Sequence, residues 1–550
     1  MNDIPVVAAT SIILILSIIL LLGRFKSWIY LATIIIAATW LLLYPQLLSP
    51  YVVGVDPHSE LALGKLTLDT GHWQPNLEGN VVNPALSVAI LAPVVSMVAG
   101  TSLDYVIKFV FSIYPVASLP ILWIISKRGF GFSDKEAFAS LFLLVGANQF
   151  MLVTALSRQE VAMFAALLSL YFIVLKNPHK TSSSIAVIVL IQATIFSHYA
   201  TAIFFIGILA LGSLITRRLE KKEERLYYVW SSIVLLIFWT MFVVTPFGVT
   251  ETRSAYQILD ALANWATEKT SIVVQQQLNP SFTDFFSSLN YLLNPCIIGL
   301  LMVGTSCAAL FGFHRYSCNP ALSRKYSLVS LLMTAAVASS IAPGVSVVYN
   351  PERIYLYALF FCNGFLIIGF KQCGSSVRSL LNRWARRPIS QSRPYKTIIL
   401  ILVSGLVLSH FALQVGLPSY VFKGNLQTNY FNDPTKDGHY TLKEEVVAIG
   451  WIQNERPPRQ LIFTASYGRG DMPLLSYGSF PNSEIRVVDD AGSISPSADG
   501  NLFYQQKWEL VKEAVLSKND LSKMNGIANY LSNQQTILDS GTTKVYYINQ

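Results

Sequence analysis

Pro84-Ala-Leu-Ser-Val-Ala-Ile-Leu-Ala-Pro-Val-Val-Ser-Met-Val-Ala99 is almost wholly apolar, yet only 16 residues long. A spanning helix needs about 20 apolar residues, with a range of about 17 to 25. Whether this stretch crosses or lies flat decides on which side every later loop sits. Of the 550 residues, 53% are hydrophobic and 13% charged, and the mean hydropathy is +0.47. Soluble domains carry about 25% charged residues, so this composition is that of an integral membrane protein. Runs suited to spanning lie near 5–22, 28–48, 104–126, 135–155, 160–176, 182–197, 199–215, 228–246, 295–313, 326–345, 354–370 and 397–415. They amount to about twelve transmembrane helices.

Basic residues fix the side, because cytoplasmic loops carry an excess of Lys and Arg. Arg24 and Lys26 follow the first run, and Lys127 and Arg128 the third. Lys176, His179 and Lys180 follow the fifth; Arg217, Arg218, Lys221, Lys222 and Arg225 follow the seventh. Arg315, Arg324 and Lys325 come after the ninth, and Arg378, Arg383, Arg386, Arg387, Arg393 and Lys396 after the eleventh. All share one side only if 84–99 does not cross. The stretch therefore reads as an interfacial helix on the outer leaflet, inside a first outer loop of about 50–103, with a short re-entrant segment as the alternative. The same basic loops account for the net charge of +9. The polar segments hold no basic groove studded with aromatics, so no nucleic-acid partner is expected.

The five cysteines, Cys296, Cys307, Cys318, Cys362 and Cys373, have no C-x-x-C spacing and support neither a zinc site nor a disulfide framework. The N-terminus has no basic n-region and reads as a retained membrane helix rather than a cleaved signal. Residues 1–416 form the membrane domain and 417–550 an extracytoplasmic one. In that tail, His439 to Asn454 reads as an amphipathic helix, 460–464 and 484–488 as strands, 503–517 and 519–532 as helices, and 535–548 as a hairpin around Asp-Ser-Gly. A small α/β domain fits this pattern. A multi-pass protein of the plasma membrane with its tail outside follows.

The outer side then collects the unusual polar residues. Tyr51-Val-Val-Gly-Val-Asp-Pro-His-Ser-Glu60 packs Asp56, His58 and Glu60 into five positions. Pro57 disfavours helix at Asp56, and in an extended chain residues 56, 58 and 60 share one face. A carboxylate shielded from water can take a proton from an acceptor hydroxyl. The same three residues could hold a divalent metal, Mg or Mn; the plainer reading is a solvated loop capping a helix near Ser59. Lys65, Asp69, His72 and Trp73 suit membrane docking. Ser157-Arg-Gln-Glu160 brings Arg158 and Glu160 to the outer end of a span, where ionisable residues are functional by default, although the two could simply pair. Ser197-His-Tyr199 places His198 and Tyr199 at the same depth. Glu352 and Arg353 open a late span, and Arg binds phosphate bidentately; the plainer reading is an arginine snorkelling to headgroups. A loop of 246–294 lies on the same side.

Taken in order, these features resemble the GT-C superfamily of polytopic glycosyltransferases, the class that includes dolichyl-phosphate-mannose–protein mannosyltransferases. The residues that carry the likeness are Gly54-Val-Asp-Pro-His-Ser-Glu60, the Asn83-Pro84 step, Gly100-Thr101-Ser102, and Lys127-Arg128-Gly129-Phe130-Gly131. Within that class the chain looks most like a group of archaeal membrane proteins, through Ser197-His198-Tyr199 and Pro351 with Arg353. The likeness covers roughly the first 420 residues and thins in the tail. It implies a polyprenyl- or dolichyl-phosphate-linked sugar donor, a glycan, lipid or protein acceptor, and the loop acid, here Asp56, as catalytic base. An extra first span, and His58 and Glu60 in place of the commoner Asp-Glu or Asp-x-Asp, depart from the class and leave metal use open. The expectation is a membrane glycosyltransferase in which Arg353, with Arg158, holds the phosphate, while His58, Glu60 and His198 orient the acceptor or a metal. A lipid-linked glycan polymerase or ligase, a transporter or flippase, and a sensor that uses the tail as a binding module are the alternatives.

Overall fold

Apolar side chains cover both the inner and the outer faces of the helices, the pattern of helices packed in lipid. Ile12, Ile19, Trp28, Ile36, Val234 and Leu402 face outward, while Ile34, Leu41, Phe138, Phe142, Phe205 and Phe361 fill the interior. The computed structural model describes residues 4–74, 82–147, 150, 153, 156–175, 181–220, 227–239, 285–311, 324–340, 351–385, 393–415, 417, 443–455, 462–465, 477, 485–488, 502–506, 535–539 and 543–547. The expected outer loop at 246–294 falls outside these residues up to 284, as do the helix at 519–532 and the basic residues at 315, 386 and 387.

The helices are α1 (Ile4–Leu22), α2 (Ser27–Leu47), α3 (Val55–Thr70), α4 (Ser87–Ala99), α5 (Leu103–Gly129), α6 (Asp134–Val145) and α7 (Ser157–Leu175). They continue with α8 (Thr181–Ser197), α9 (Tyr199–Glu220), α10 (Tyr227–Phe238), α11 (Phe285–Phe311), α12 (Arg324–Ser340), α13 (Pro351–Ala385) and α14 (Arg393–Gln414). Among the described residues, four segments are long and apolar enough to cross a membrane: α2, α5, α7 and Arg353–Ser376 of α13. Eight shorter apolar helices accompany them, Ser87–Ala99 included. At 13 residues that helix is about 20 Å long, short of a bilayer core of about 30 Å. The span expected over 135–155 is interrupted. A capping box of Ser133 and Glu136 starts α6, which ends at Val145, before Gly146. Twelve residues reach only about 18 Å, and α6 is buried by its neighbours from Ala137 to Val145.

α13 is the central pillar, with 89% of its apolar window buried. It packs against α11 with its backbone almost touching: a Cβ on Gly369 would meet the Leu300 carbonyl oxygen, and one on Gly304 that of Phe365. Small residues let membrane helices approach this closely.

The paired charged groups of the bundle gather at its two ends. At one end Lys127 pairs with Asp134 at 3.0 Å, Ser27 donates to Asp134, and Lys371 of α13 pairs with Glu136 at 2.7 Å. Arg353 opens the other end of α13. The 18 residues between Arg353 and Lys371 rise about 27 Å, close to the thickness of the hydrocarbon core.

In the tail, α15 (Lys443–Glu455) accompanies a five-stranded mixed sheet, β1 (Ile462–Ala465), β2 (Ile485–Val488), β3 (Leu502–Gln506), β4 (Gln535–Asp539) and β5 (Thr543–Tyr547). The order is β2-β1-β3-β5-β4. β1 is parallel to β2 and β3; β5 is antiparallel to β3 and β4, so the expected hairpin forms. The helix expected from 503 begins instead as β3, because Leu502–Gln506 is drawn into the gap between β1 and β5 and pairs on both edges.

Candidate active site

The acidic stretch is helical, not extended. Gly54 has φ 99, a conformation open to glycine at little cost, and it turns the chain so that Val55 can begin α3. Pro57 is the third residue of that helix, within the first turn, where its missing N–H is not needed. The preference of a residue before proline for extended backbone yields to this turn. The consequence is geometric. Each helical residue rotates about 100°, so Asp56 and Glu60 share one face, one turn apart, and His58 points across the helix. The three do not share a face, as an extended chain would have given.

The face carrying Asp56 and Glu60 meets two arginines distant in sequence. Arg158, in the first turn of α7, places Nη2 3.4 Å from Asp56 Oδ2 and Nε 3.4 Å from Glu60 Oε1. Arg353, in the first turn of α13, places Nη2 3.2 Å from the same Asp56 Oδ2. One carboxylate oxygen thus receives two guanidinium groups. Asp56 Oδ1 has no partner among the described residues, and the side chain is 24% exposed. Glu60 is fully buried. Burial pushes its carboxyl up to about 7; Arg158 pulls it down and Asp56 adds to the rise. Burial thus holds a proton on Glu60 to higher pH than an ordinary carboxyl would keep it. Where that proton is present, two guanidiniums face Asp56 with Glu60 neutral, and the face favours an anion more than a count of carboxyl groups suggests. Glu160, one turn above the start of α7 and beside Glu60, is buried with both carboxyl oxygens unpartnered among the described residues.

His198, at the junction of α8 and α9, lies within electrostatic reach of Arg158 and Arg353. Its Nδ1 lies 2.7 Å from Thr201 Oγ1, which lies 2.7 Å from the Tyr357 hydroxyl on α13. Tyr199 stacks on the His198 ring at 5.6 Å. The side chain of Glu352 falls outside the described residues.

His58 is elsewhere. It is buried and pushed down to about 3, chiefly by burial and then by Lys65, so it is a neutral packing group rather than a partner of Asp56. Its ring meets the edge of Tyr477 at 5.9 Å. Tyr477, from the tail, also packs on Tyr51 at 5.1 Å, takes the Val52 N–H on its hydroxyl at 2.9 Å, and lies under the Lys65 ammonium at 4.8 Å. Burial raises its hydroxyl pKa, with Asp104 adding to the rise. The tail thus plugs a tyrosine into the apolar cluster of Val52, Leu61, Leu103 and Phe111 behind the acidic helix. No local pattern around Tyr477 marks it in sequence. Trp73, expected at the headgroup belt, stacks on Trp239 at 6.3 Å and donates to Asn83.

A metal held by Asp56, His58 and Glu60 does not fit this arrangement. His58 faces away, and the Arg158 guanidinium lies within 3.4 Å of both carboxylates. Among the described residues no three His, Cys, Asp or Glu side chains converge as ligands.

Apolar helices with apolar outer faces, their buried charge drawn to the ends, define a polytopic α-helical membrane protein. The chain belongs to the family described as "Predicted membrane protein (DUF2206)", whose model matches residues 183–546. His198, Arg353 and Tyr477 fall inside that match, while Asp56, Glu60 and Arg158 precede it. The match runs through the tail, where the resemblance read from the sequence thins. No curated protein matches the chain. Among solved structures it is similar to ArnT from Cupriavidus metallidurans, both bound to undecaprenyl phosphate (TM-score 0.46) and in the apo state (TM-score 0.48). Each is 11% identical over 94% of this chain and 97% of that one.

Proposed function

We propose that the protein is a membrane glycosyltransferase that moves a sugar from a polyprenyl- or dolichyl-phosphate carrier to a hydroxyl of a glycan, lipid or protein acceptor on the outer membrane face. The observation that carries the reading is Asp56, with Oδ2 engaged by Arg158 and Arg353 and Oδ1 left open. The acceptor hydroxyl gives its proton to Asp56 Oδ1 as its oxygen bonds to the anomeric carbon. The bond from that carbon to the phosphate oxygen breaks, and its electron pair leaves with the carrier phosphate. Arg353, with Arg158, takes up the charge that develops there. Glu60 and Glu160 set the charge balance around the arginines. Residues 417–550 form an extracytoplasmic domain, and Tyr477 ties it to the acidic helix. A transporter would place its substrate groups near mid-membrane; here they lie at one end of α13, opposite the Lys371 end.

The test is sugar transfer by membranes holding the full-length protein, supplied with a panel of radiolabelled dolichyl- and undecaprenyl-phosphate sugars. Asp56→Asn and Arg353→Ala are expected to abolish transfer at wild-type protein levels. Full activity in both ends the assignment.

A further inference from the structure

His198 makes contacts that fix which of its nitrogens carries a proton. The Thr201 backbone N–H donates to Nδ1 at 3.2 Å, and the Thr201 hydroxyl lies 2.7 Å from the same atom. An amide N–H can only donate, so Nδ1 must present its lone pair. That excludes both the Nδ1–H tautomer and the imidazolium. The Tyr357 hydroxyl, 2.7 Å from Thr201 Oγ1, lets Thr201 turn its own proton toward the ring. All three side chains are buried, so no water competes for these roles. The proton is left on Nε2, on the far side of the ring, and Nε2 has no partner among the described residues.

Two further observations bear on the surroundings of that proton. Arg158 and Arg353 are near enough to act electrostatically on both His198 and Tyr357. Arg158 is buried, and its Nη1 has no partner among the described residues. Arg158 Nη1 on α7 and His198 Nε2 at the α8–α9 junction are thus unpartnered among the described residues, with Arg353 of α13 in electrostatic reach of His198.

We propose that His198 is held by Thr201 and Tyr357 as a fixed Nε2–H donor, and that it forms with Arg158 and Arg353 a three-sided cradle for the phosphate of a lipid-phosphate ligand. This rests on the transferase reading above and adds to it a donor that is neutral and directional, together with two positioning residues, Thr201 and Tyr357, that act through it. A phosphate in the cradle would accept from both guanidiniums and from Nε2 while Asp56 Oδ1 stays open to the acceptor.

Two measurements on purified full-length protein test this. The first is 15N NMR of histidine-labelled protein, with the His198 signals assigned by their loss in His198→Gln. The Nε2–H pattern at pH 7 is expected; an Nδ1–H or doubly protonated ring overturns the proposal whatever the protein's activity. The second is binding of dolichyl phosphate in detergent micelles, with inorganic phosphate as a parallel arm. Glutamine can place an amide N–H where Nε2 stands and asparagine cannot, so His198→Gln should bind at least about tenfold more tightly than His198→Asn, the cost of one charge-assisted hydrogen bond. Equal affinities in the two variants overturn the cradle alone. Failure of the wild-type protein to bind either dolichyl phosphate or undecaprenyl phosphate in this format overturns the cradle and the transferase reading together. Inorganic phosphate binding as tightly as dolichyl phosphate overturns the lipid-phosphate assignment.

Discussion

Glu60 offers a perturbation whose size follows from its surroundings. Its carboxyl stands at about 7 in the folded protein, against an ordinary value of 4.5, and the group is fully buried. A raised carboxyl holds its proton in the folded state after the unfolded chain has lost it. Between pH 4.5 and 7 the native state therefore binds more protons, and stability falls as pH rises through that window, then levels above it. A difference of 2.5 between the two values corresponds to about 3 kcal/mol. His58 works in the opposite sense: pushed down from 6.5 to about 3, it makes the protein more stable as pH rises across 3 to 6.5. The two partly cancel in the wild-type curve, so the informative quantity is a difference. Thermal unfolding of purified wild-type and Glu60→Gln protein in detergent, followed from pH 4.5 to 8, isolates it. Glutamine keeps the shape of the protonated acid and does not titrate. The variant is expected to gain on the wild-type steadily up to about pH 7, by a total of about 3 kcal/mol, and then run parallel. Parallel curves throughout, or a wild-type that gains on the variant, would refute the buried, proton-holding Glu60 and with it the charge balance argued for the site.

Arg353→Lys should fail to restore transfer lost in Arg353→Ala, because an ammonium cannot offer the planar fork; rates with a phosphate-lipid donor should stay down about 10²–10³-fold. Tyr477→Phe leaves the Val52 N–H without its acceptor and should cost about 1–3 kcal/mol, read as faster proteolysis of the tail with the membrane bundle intact. Gly369→Val would drive a Cβ into the Leu300 carbonyl oxygen; size-exclusion profiles should lose the monodisperse peak, whereas Gly405→Ala, with open space around it, should keep it.

The bundle was legible in the sequence because hydropathy is a one-dimensional signal and every membrane helix carries it. The interfacial reading of 84–99 came from a side argument on Lys and Arg, and Ser87–Ala99 forms a helix too short to cross alone. The candidate site was legible as a set of residue types, and four of that set, Asp56, Glu60, Arg158 and Arg353, come together. What failed was local geometry. Pro57 argued for an extended loop, but a proline in a first turn is harmless, so His58 turned away from the acids it was grouped with. α6 looked long because the apolar run continues past Gly146, where the helix stops. Leu502–Gln506 became a strand through partners far along the chain. Tyr477 and Tyr357 were invisible for a related reason: each gains its role from a neighbour more than 100 positions away.

Transfer by Asp56→Asn measures the central claim most directly, provided donor binding is followed in the same preparation. Asparagine keeps the shape and both heteroatoms of the side chain but cannot accept the acceptor's proton as a carboxylate does. The account predicts a fall in transfer rate of about 10²–10⁴-fold with dolichyl phosphate still bound. Transfer at the wild-type rate, from membranes holding equal amounts of protein, would contradict it.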